Sequence, residues 1–148
     1  MTTPIAQDIQ KIVVGIDGSE ASIGALQWAA QQATLTSGTV EVLVVWDWYK
    51  AVGWYVPVLV GLDPEGDARH VLEKTLADIT SQWPDLPITG RVAEGNPSPL
   101  LVDASKNATL LVVGSRGHGE FAGMLLGSVS EYCVTHAHCP VLVYRPRD

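Results

Sequence analysis

Cysteine, basic side chains and long apolar runs are all scarce in this chain of 148 residues. Its two cysteines, Cys133 and Cys139, are too few for a disulfide framework, which is typical of proteins in a reducing compartment. Nine Lys and Arg residues stand against sixteen Asp and Glu, and the net charge of −7 disfavours a general nucleic-acid binder. The longest apolar stretch, residues 52–62, contains glycine and proline and is shorter than the roughly 20 residues that a membrane-spanning helix needs.

The first ten residues show no basic region followed by an apolar run. We therefore expect no secretory signal and a cytoplasmic location. Hydrophobic residues make up 47% of the chain and charged residues 17%, so there is enough apolar material to bury a core. The length suits one domain spanning residues 1–148.

Short β-branched runs alternate along the chain with longer segments of helical periodicity. Strands are predicted at 11–16, 40–46, 88–93, 109–113 and 140–144. Helices are predicted from a cap at Ser19 to about residue 37, where Gly38 ends the helix, and over 64–82, 98–106 and 128–136. Strands separated by helices predict a parallel sheet with right-handed crossovers. Ligands of such sheets bind at the carboxyl ends of the strands, where Asp17, Trp46 and Gly114 stand.

A glycine-rich segment at 114–130 is the most informative part of the sequence. It ends in Gly127-Ser128 at a predicted helix start, which offers free N–H donors and a positive dipole end. Glycine lets backbone N–H groups turn toward a ligand, and Arg116 and His118 add donors. The segment therefore predicts a cradle for a phosphate chain. It is neither a P-loop nor a dinucleotide-binding turn after the first strand.

The spacing of these glycines resembles the ATP-binding branch of the universal stress protein family. That branch carries glycine, two residues, glycine, nine residues, then glycine and serine or threonine, and Gly114, Gly117, Gly127 and Ser128 meet the pattern. Segments 12–19, 110–117 and 139–143 extend the resemblance, which covers about residues 11–145. Two departures are Thr109, where many members have Asp, and the aromatic loop 47–61, which the motif does not specify.

The resemblance implies a single Rossmann-like α/β domain of the adenine nucleotide alpha hydrolase type. Its five-stranded parallel sheet would have the order 3-2-1-4-5, with helices on both faces, and a homodimer would pair through strand five at about 140–144. The implied ligand is an adenine nucleotide, ATP with Mg²⁺ or another divalent ion. Residues expected to contact it, from the adenosine end to the phosphate tail, are Gly15, Ile16, Asp17, Val45, Val113, Gly114, Arg116, Gly117, His118, Gly127, Ser128, Val129 and Ser130.

Some of these features keep other interpretations open. Asp17 can fix a helix start as well as bind a ligand, and both roles can coexist. The Trp- and Tyr-rich loop 47–61 suits ordinary core, a lid over a base or an interaction patch. The spacing of Cys133, His136, His138 and Cys139 is unlike usual zinc sites, so we interpret the cysteines as small hydrophobic residues.

No nucleophile–base pair is apparent, so rapid chemistry is not expected. The leading hypothesis is an ATP-binding protein that senses or stores nucleotide, with at most slow hydrolysis. The alternatives are a dimeric interaction module that docks a partner through the aromatic loop, and a cAMP binder in the same crevice. ATP is preferred to cAMP because the Gly127-Ser128 turn offers a second place to hold phosphate.

Overall fold

The computed structural model describes residues 9–47, 63–117 and 126–147. Strands and helices alternate along these ranges, as the sequence pattern predicts. The strands are β1 (Lys11–Ile16), β2 (Thr39–Trp46), β3 (Ile88–Glu94), β4 (Leu110–Gly114) and β5 (Val141–Tyr144). The helices are α1 (Glu20–Thr36), α2 (Pro64–Gln82), α3 (Pro97–Ser105) and α4 (Ser128–His136).

The five strands form one parallel sheet in the order β3-β2-β1-β4-β5, which confirms the expected fold class. The register sets Lys11 opposite Thr39 and Ile12 opposite Leu110. From β1 the chain builds outward to β2 and β3 and then returns to the other side of β1 with β4. The strand order therefore reverses between β1 and β4, and connections leave a crevice at the carboxyl ends there.

Helices cover both faces of the sheet, because the side chains of β1 point alternately to the two sides. Ile12, Val14 and Ile16 pack into a core cluster with α1 and α2. Val13 packs on the opposite face, in a cluster that also holds Leu101 of α3 and Cys133 of α4. Within the described ranges, no helix is both long and apolar enough to cross a membrane.

The helix ends lie within a residue or so of their predicted positions. One difference is at the start of α3, which begins at Pro97 and not at Ser98. Asn96 is the cap, and its side chain accepts a hydrogen bond from the Ser98 N–H at 3.1 Å. Asn96 is a strong capping residue type, and Pro97 at the first helical position needs no N–H partner. Both features move the helix start one residue ahead of the predicted Ser98.

At the end of α1, the residue in the left-handed backbone conformation is Ser37 and not Gly38. Ser37 is the only described non-glycine residue with positive φ, at 55°, in the left-handed region. Gly38 has a different reason to be glycine, since a Cβ there would lie 2.5 Å from the carbonyl oxygen of Gln10. The predicted end of the helix is correct to within a residue, and Gly38 directly follows the residue whose left-handed conformation ends it.

We predict that Ser37→Gly raises the free energy of unfolding by about 0.5–1 kcal/mol, because glycine adopts the left-handed region without a Cβ clash. Ser37→Ala keeps the Cβ and is the matched control, which we expect to give no gain. Urea unfolding followed by circular dichroism measures both variants. A Ser37→Gly protein no more stable than Ser37→Ala would contradict this account of the helix end.

Candidate functional site

A cavity of about 300 Å³ opens at the carboxyl edge of the sheet, where β1, β2 and β4 end. We call it the switch-point cavity. Residues from β1, β2, β4 and the starts of α1, α3 and α4 line it. All predicted site residues within the described ranges contribute to its lining: Gly15, Ile16, Asp17, Val45, Val113, Gly114, Arg116, Gly117, Gly127, Ser128, Val129 and Ser130. His118 and nearly all of the aromatic loop, residues 48–61, lie outside the described residues.

One side of the cavity is the tight turn that follows β1. The Asp17 carboxylate accepts a hydrogen bond from the Ser19 N–H at 2.8 Å, across Gly18 with φ of 83°. Ser19 is the helix cap, since its hydroxyl oxygen accepts from the Ser22 N–H at 3.2 Å. Asp17 therefore fixes the turn from outside the helix while its carboxylate lines the cavity. The structural role and a ligand role are geometrically compatible.

Gly114 and Gly117 are glycines for different reasons. A Cβ on Gly114 would meet α1, with Ala21 Cβ at 2.8 Å, the Ala21 carbonyl carbon at 2.9 Å and the Ser22 nitrogen at 3.0 Å. Two of those three atoms belong to backbone, so little can move aside. A Cβ on Gly117 would instead collide with a carboxylate oxygen of Asp17. Gly114 therefore allows close packing of β4 on α1, whereas Gly117 brings the glycine-rich loop against Asp17.

The two ends of the glycine-rich loop are joined at the carbonyl of Ser115. This oxygen accepts from the Gly127 N–H at 2.6 Å and from the Ser130 hydroxyl at 2.9 Å. The Ser115 N–H donates to the Tyr144 carbonyl at 2.7 Å, which continues the β4–β5 ladder. The start of α4 is thereby held beside the end of β4.

The first turn of α4 presents backbone donors at the switch-point cavity. Its first intrahelical hydrogen bond runs from the Glu131 N–H to the Gly127 carbonyl, so the N–H groups of Ser128, Val129 and Ser130 come before it. The cap residue Gly127 makes no side-chain capping bond among the described residues. Uncapped N–H groups at a helix N-terminus favour an anion, and α1 also begins at this cavity.

The described lining carries one cationic side chain, Arg116, and two carboxylates, Asp17 and Asp47. Arg116 is exposed, and none of the ion pairs found among the described residues involves it. Apolar side chains line much of the remaining wall, among them Leu43, Val45, Leu101 and Val113. The cavity thus has an apolar part beside β2 and a donor-rich part beside α4.

Sequence reasoning did not assign six residues of the lining to the site: Ser19, Ser22, Leu43, Asp47, Pro97 and Leu101. Leu43 carried a usable signal, because it lies two residues before Val45 and side chains at that spacing share a face of a strand. Pro97 and Leu101 carried none, since the topology places the start of α3 at this edge but only tertiary packing brings these two residues into the lining. A Cβ on Gly15 would lie 3.0 Å from the Leu101 methyl groups, so glycine on β1 makes room for that helix.

The cysteines are placed in the core, in agreement with their interpretation as small hydrophobic residues. Cys133 is fully buried, and this burial raises the pKa of its thiol to about 11. Cys139 packs partly buried against the same cluster. Across residues 9–47, 63–117 and 126–147, no group of three or more His, Cys, Asp or Glu side chains is arranged to hold a metal ion.

A doubly wound parallel sheet with a cavity at its switch point defines the class of α/β proteins that bind ligands at this edge. Within that class the family is shown by sequence. The model of the universal stress protein family matches residues 8–145, and the chain belongs to that family.

Comparisons with individual proteins agree. A universal stress protein of Mycolicibacterium smegmatis is 38% identical over 137 residues, which cover 92% of this chain and 46% of that protein. A universal stress protein solved in complex with cAMP is 27% identical, with a TM-score of 0.70 and coverage of 93% of this chain and 97% of that one. One from Archaeoglobus fulgidus in complex with dAMP shares the fold at 20% identity, with a TM-score of 0.66 and coverage of 91% and 97%. The chain spans about half the length of the curated relatives it matches.

We predict that Gly114→Ala lowers the free energy of unfolding by about 1–3 kcal/mol, because its Cβ meets α1 backbone that cannot yield. Gly117→Ala is the matched comparison from the same loop, and we expect a smaller loss, since its Cβ would meet the end of the Asp17 side chain and no backbone atom. Urea unfolding of the two variants tests the difference. A Gly114→Ala protein as stable as the wild type would show that Gly114 is not required for packing.

Proposed function

We propose that this chain binds an adenine nucleotide, ATP foremost, in the switch-point cavity, and that it senses or stores the nucleotide rather than turning it over rapidly. The observation that carries the proposal is the meeting of an apolar wall with the donor-rich start of α4 in one cavity. A nucleotide has the same division into a flat apolar base and a charged tail.

The phosphate tail would lie against α4 and Arg116. Backbone N–H groups of Ser128, Val129 and Ser130 and the exposed hydroxyl of Ser128 supply donors, and the helix dipole favours negative charge. Arg116 has five N–H donors in a planar fork that matches phosphate oxygens. Because it pairs with no carboxylate among the described residues, a phosphate would not have to compete for it.

The adenosine end would lie between β2 and α3. Leu43, Val45 and Leu101 offer apolar contact for the base, and the backbone at Val45 lies at the carboxyl end of β2. Asp17, beside Gly15 and Ile16, is the carboxylate suited to accept hydrogen bonds from ribose hydroxyls. One of its oxygens already accepts from the Ser19 N–H, so its orientation is set before a ligand arrives.

Magnesium would enter this cavity with the nucleotide. Mg²⁺ is usually held by one or two carboxylates, substrate phosphates and water rather than by a cage of protein ligands. With Asp17 placed at the ribose, the described lining offers the carboxylate of Asp47 for such an ion. The ion would neutralise part of the triphosphate charge. The slow hydrolysis that we allow for would then be incidental to storage.

A cyclic nucleotide is the second candidate, favoured by the relative that was solved with cAMP. The same apolar wall would accept its adenine. Its single phosphate would use fewer of the donors at α4 than a triphosphate, so we rank ATP first. Calorimetric titration of both ligands, alone and in competition, separates the candidates: tighter binding of cAMP would reverse their order.

We also propose that the chain pairs with a second copy through β5. This strand is one of the two edges of the described sheet, with β3 as the other, and all four residues of β5 are only partly buried. An unprotected edge presents unpaired N–H and C=O groups to another strand. Analytical ultracentrifugation measures the oligomeric state, and a monomer at every concentration would remove this proposal.

We predict that Arg116→Ala weakens ATP binding by about 10- to 100-fold, the range for losing hydrogen bonds to a charged group, and leaves adenosine binding unchanged. The matched control is Arg69→Ala, because Arg69 is an exposed arginine on α2, paired with Glu65 and outside the cavity lining. Isothermal titration calorimetry gives both affinities.

These affinities test the placement of the phosphates separately from nucleotide binding itself. ATP affinity that is equal in wild type, Arg116→Ala and Arg69→Ala would refute the placement of the phosphates. Absence of ATP and cAMP binding to the wild type would refute nucleotide binding itself.

A further inference from the structure

Ser130 lines the cavity, but its side chain is turned into the protein. It is only 2% exposed. Its hydroxyl lies 2.9 Å from the Ser115 carbonyl oxygen and 3.0 Å from the Gly127 carbonyl oxygen. A serine hydroxyl has one proton to donate, and here both nearby acceptors are backbone carbonyls. The side chain is thus engaged with protein, whereas Ser128, two residues earlier, is exposed.

The Ser115 carbonyl connects three parts of the fold. Ser115 directly follows β4, and its own N–H donates to Tyr144 of β5. Its carbonyl receives the Gly127 N–H and the Ser130 hydroxyl, which both belong to the start of α4. The Gly127 N–H is therefore used within the protein, and the donors left for a ligand begin at Ser128.

We infer that Ser130 is a positioning residue: its hydroxyl fastens the first turn of α4 to the end of β4 and so aims the Ser128 and Val129 N–H groups at the phosphates of a bound nucleotide. This inference rests on the proposed function. It gives the two serines at the start of α4 different roles. Ser128 contacts the ligand, and the Ser130 side chain holds the helix that carries Ser128.

The Ser130 hydroxyl supplies at this helix start a side-chain bond that the cap residue cannot make. The cap residue Gly127 has no side chain, so the start of α4 lacks the side-chain capping bond that Ser19 supplies to α1. A glycine at the cap leaves the N–H groups open to a ligand but does little to hold the helix end in place. The Ser130 hydroxyl bonds to the carbonyls of Ser115 and Gly127, so it leaves the first N–H groups of α4 open to a ligand.

The test compares Ser130→Ala with Ser105→Ala. Ser105 is also fully buried, and its hydroxyl donates to the Val102 carbonyl at 2.5 Å and accepts from the His138 N–H at 2.9 Å. It lies at the carboxyl end of α3, away from the cavity lining. The two variants therefore remove a comparable buried hydroxyl from opposite ends of the fold.

Two measurements are made on each full-length variant: calorimetric affinities for ATP and adenosine, and hydrogen exchange of the Gly127 amide by NMR. We expect Ser130→Ala to bind ATP about tenfold more weakly, the effect of one lost buried hydrogen bond, with adenosine affinity unchanged. Its Gly127 amide should exchange faster than in the wild type. Ser105→Ala should leave the ratio of ATP to adenosine affinity and the Gly127 exchange rate as they are in the wild type.

Three results would overturn the inference: unchanged ATP affinity in Ser130→Ala, equal weakening of ATP and adenosine, or the same selective loss in Ser105→Ala. If the wild type binds no ATP, the proposed function fails instead. The exchange rate still decides the fastening role in that case, since a Gly127 amide equally protected in Ser130→Ala would show that the hydroxyl does not hold the turn.

Discussion

Parallel pairing of β1 with both β2 and β4 is the constraint on which the rest of the structure depends. Parallel neighbours need crossover helices, so every strand reaches the same edge of the sheet at its carboxyl end. The helices that follow β1, β3 and β4 must then begin at that edge, with their N–H groups facing it. A site with converging helix N-termini is thus a consequence of the topology. The sequence determines which of those helix starts have a side-chain cap on their N–H groups.

The three helix starts differ in their cap residue. At α1, the Ser19 side chain accepts from the Ser22 N–H, and at α3 the Asn96 side chain accepts from the Ser98 N–H. At α4 the cap is Gly127, and its N–H is bonded backward to Ser115, not toward the cavity. Side-chain caps therefore engage one N–H group at the start of α1 and one at the start of α3, whereas α4 has no side-chain cap and keeps its first N–H groups for the anion that we propose.

The regular parts of this fold could be predicted from sequence because they depend on local patterns. β1 and α2 begin and end at the residues that hydrophobic periodicity and flanking prolines indicate. The glycine spacing likewise predicted that Gly114 and Gly127 lie at one site, although it could not show whether each glycine is needed for packing or for binding. Gly114 is required by the α1 backbone, and Leu101 enters the cavity from α3. Both facts depend on how helices lie on the sheet, which no local pattern encodes.

The balance of charge around the cavity bears on how an acidic chain would hold the proposed polyanion. The chain carries a net charge of −7, and Asp17 and Asp47 place two carboxylates in the described lining. Arg116 and the N-termini of α1 and α4 oppose them, each helix end acting as about half a positive charge. These contributions nearly cancel, so the cavity by itself does not attract a triphosphate strongly from a distance. In the proposed complex, affinity would then come from short contacts to oriented N–H groups and from a divalent ion carried by the nucleotide. Such a site would select for the phosphate geometry that its backbone can match more than for negative charge in general.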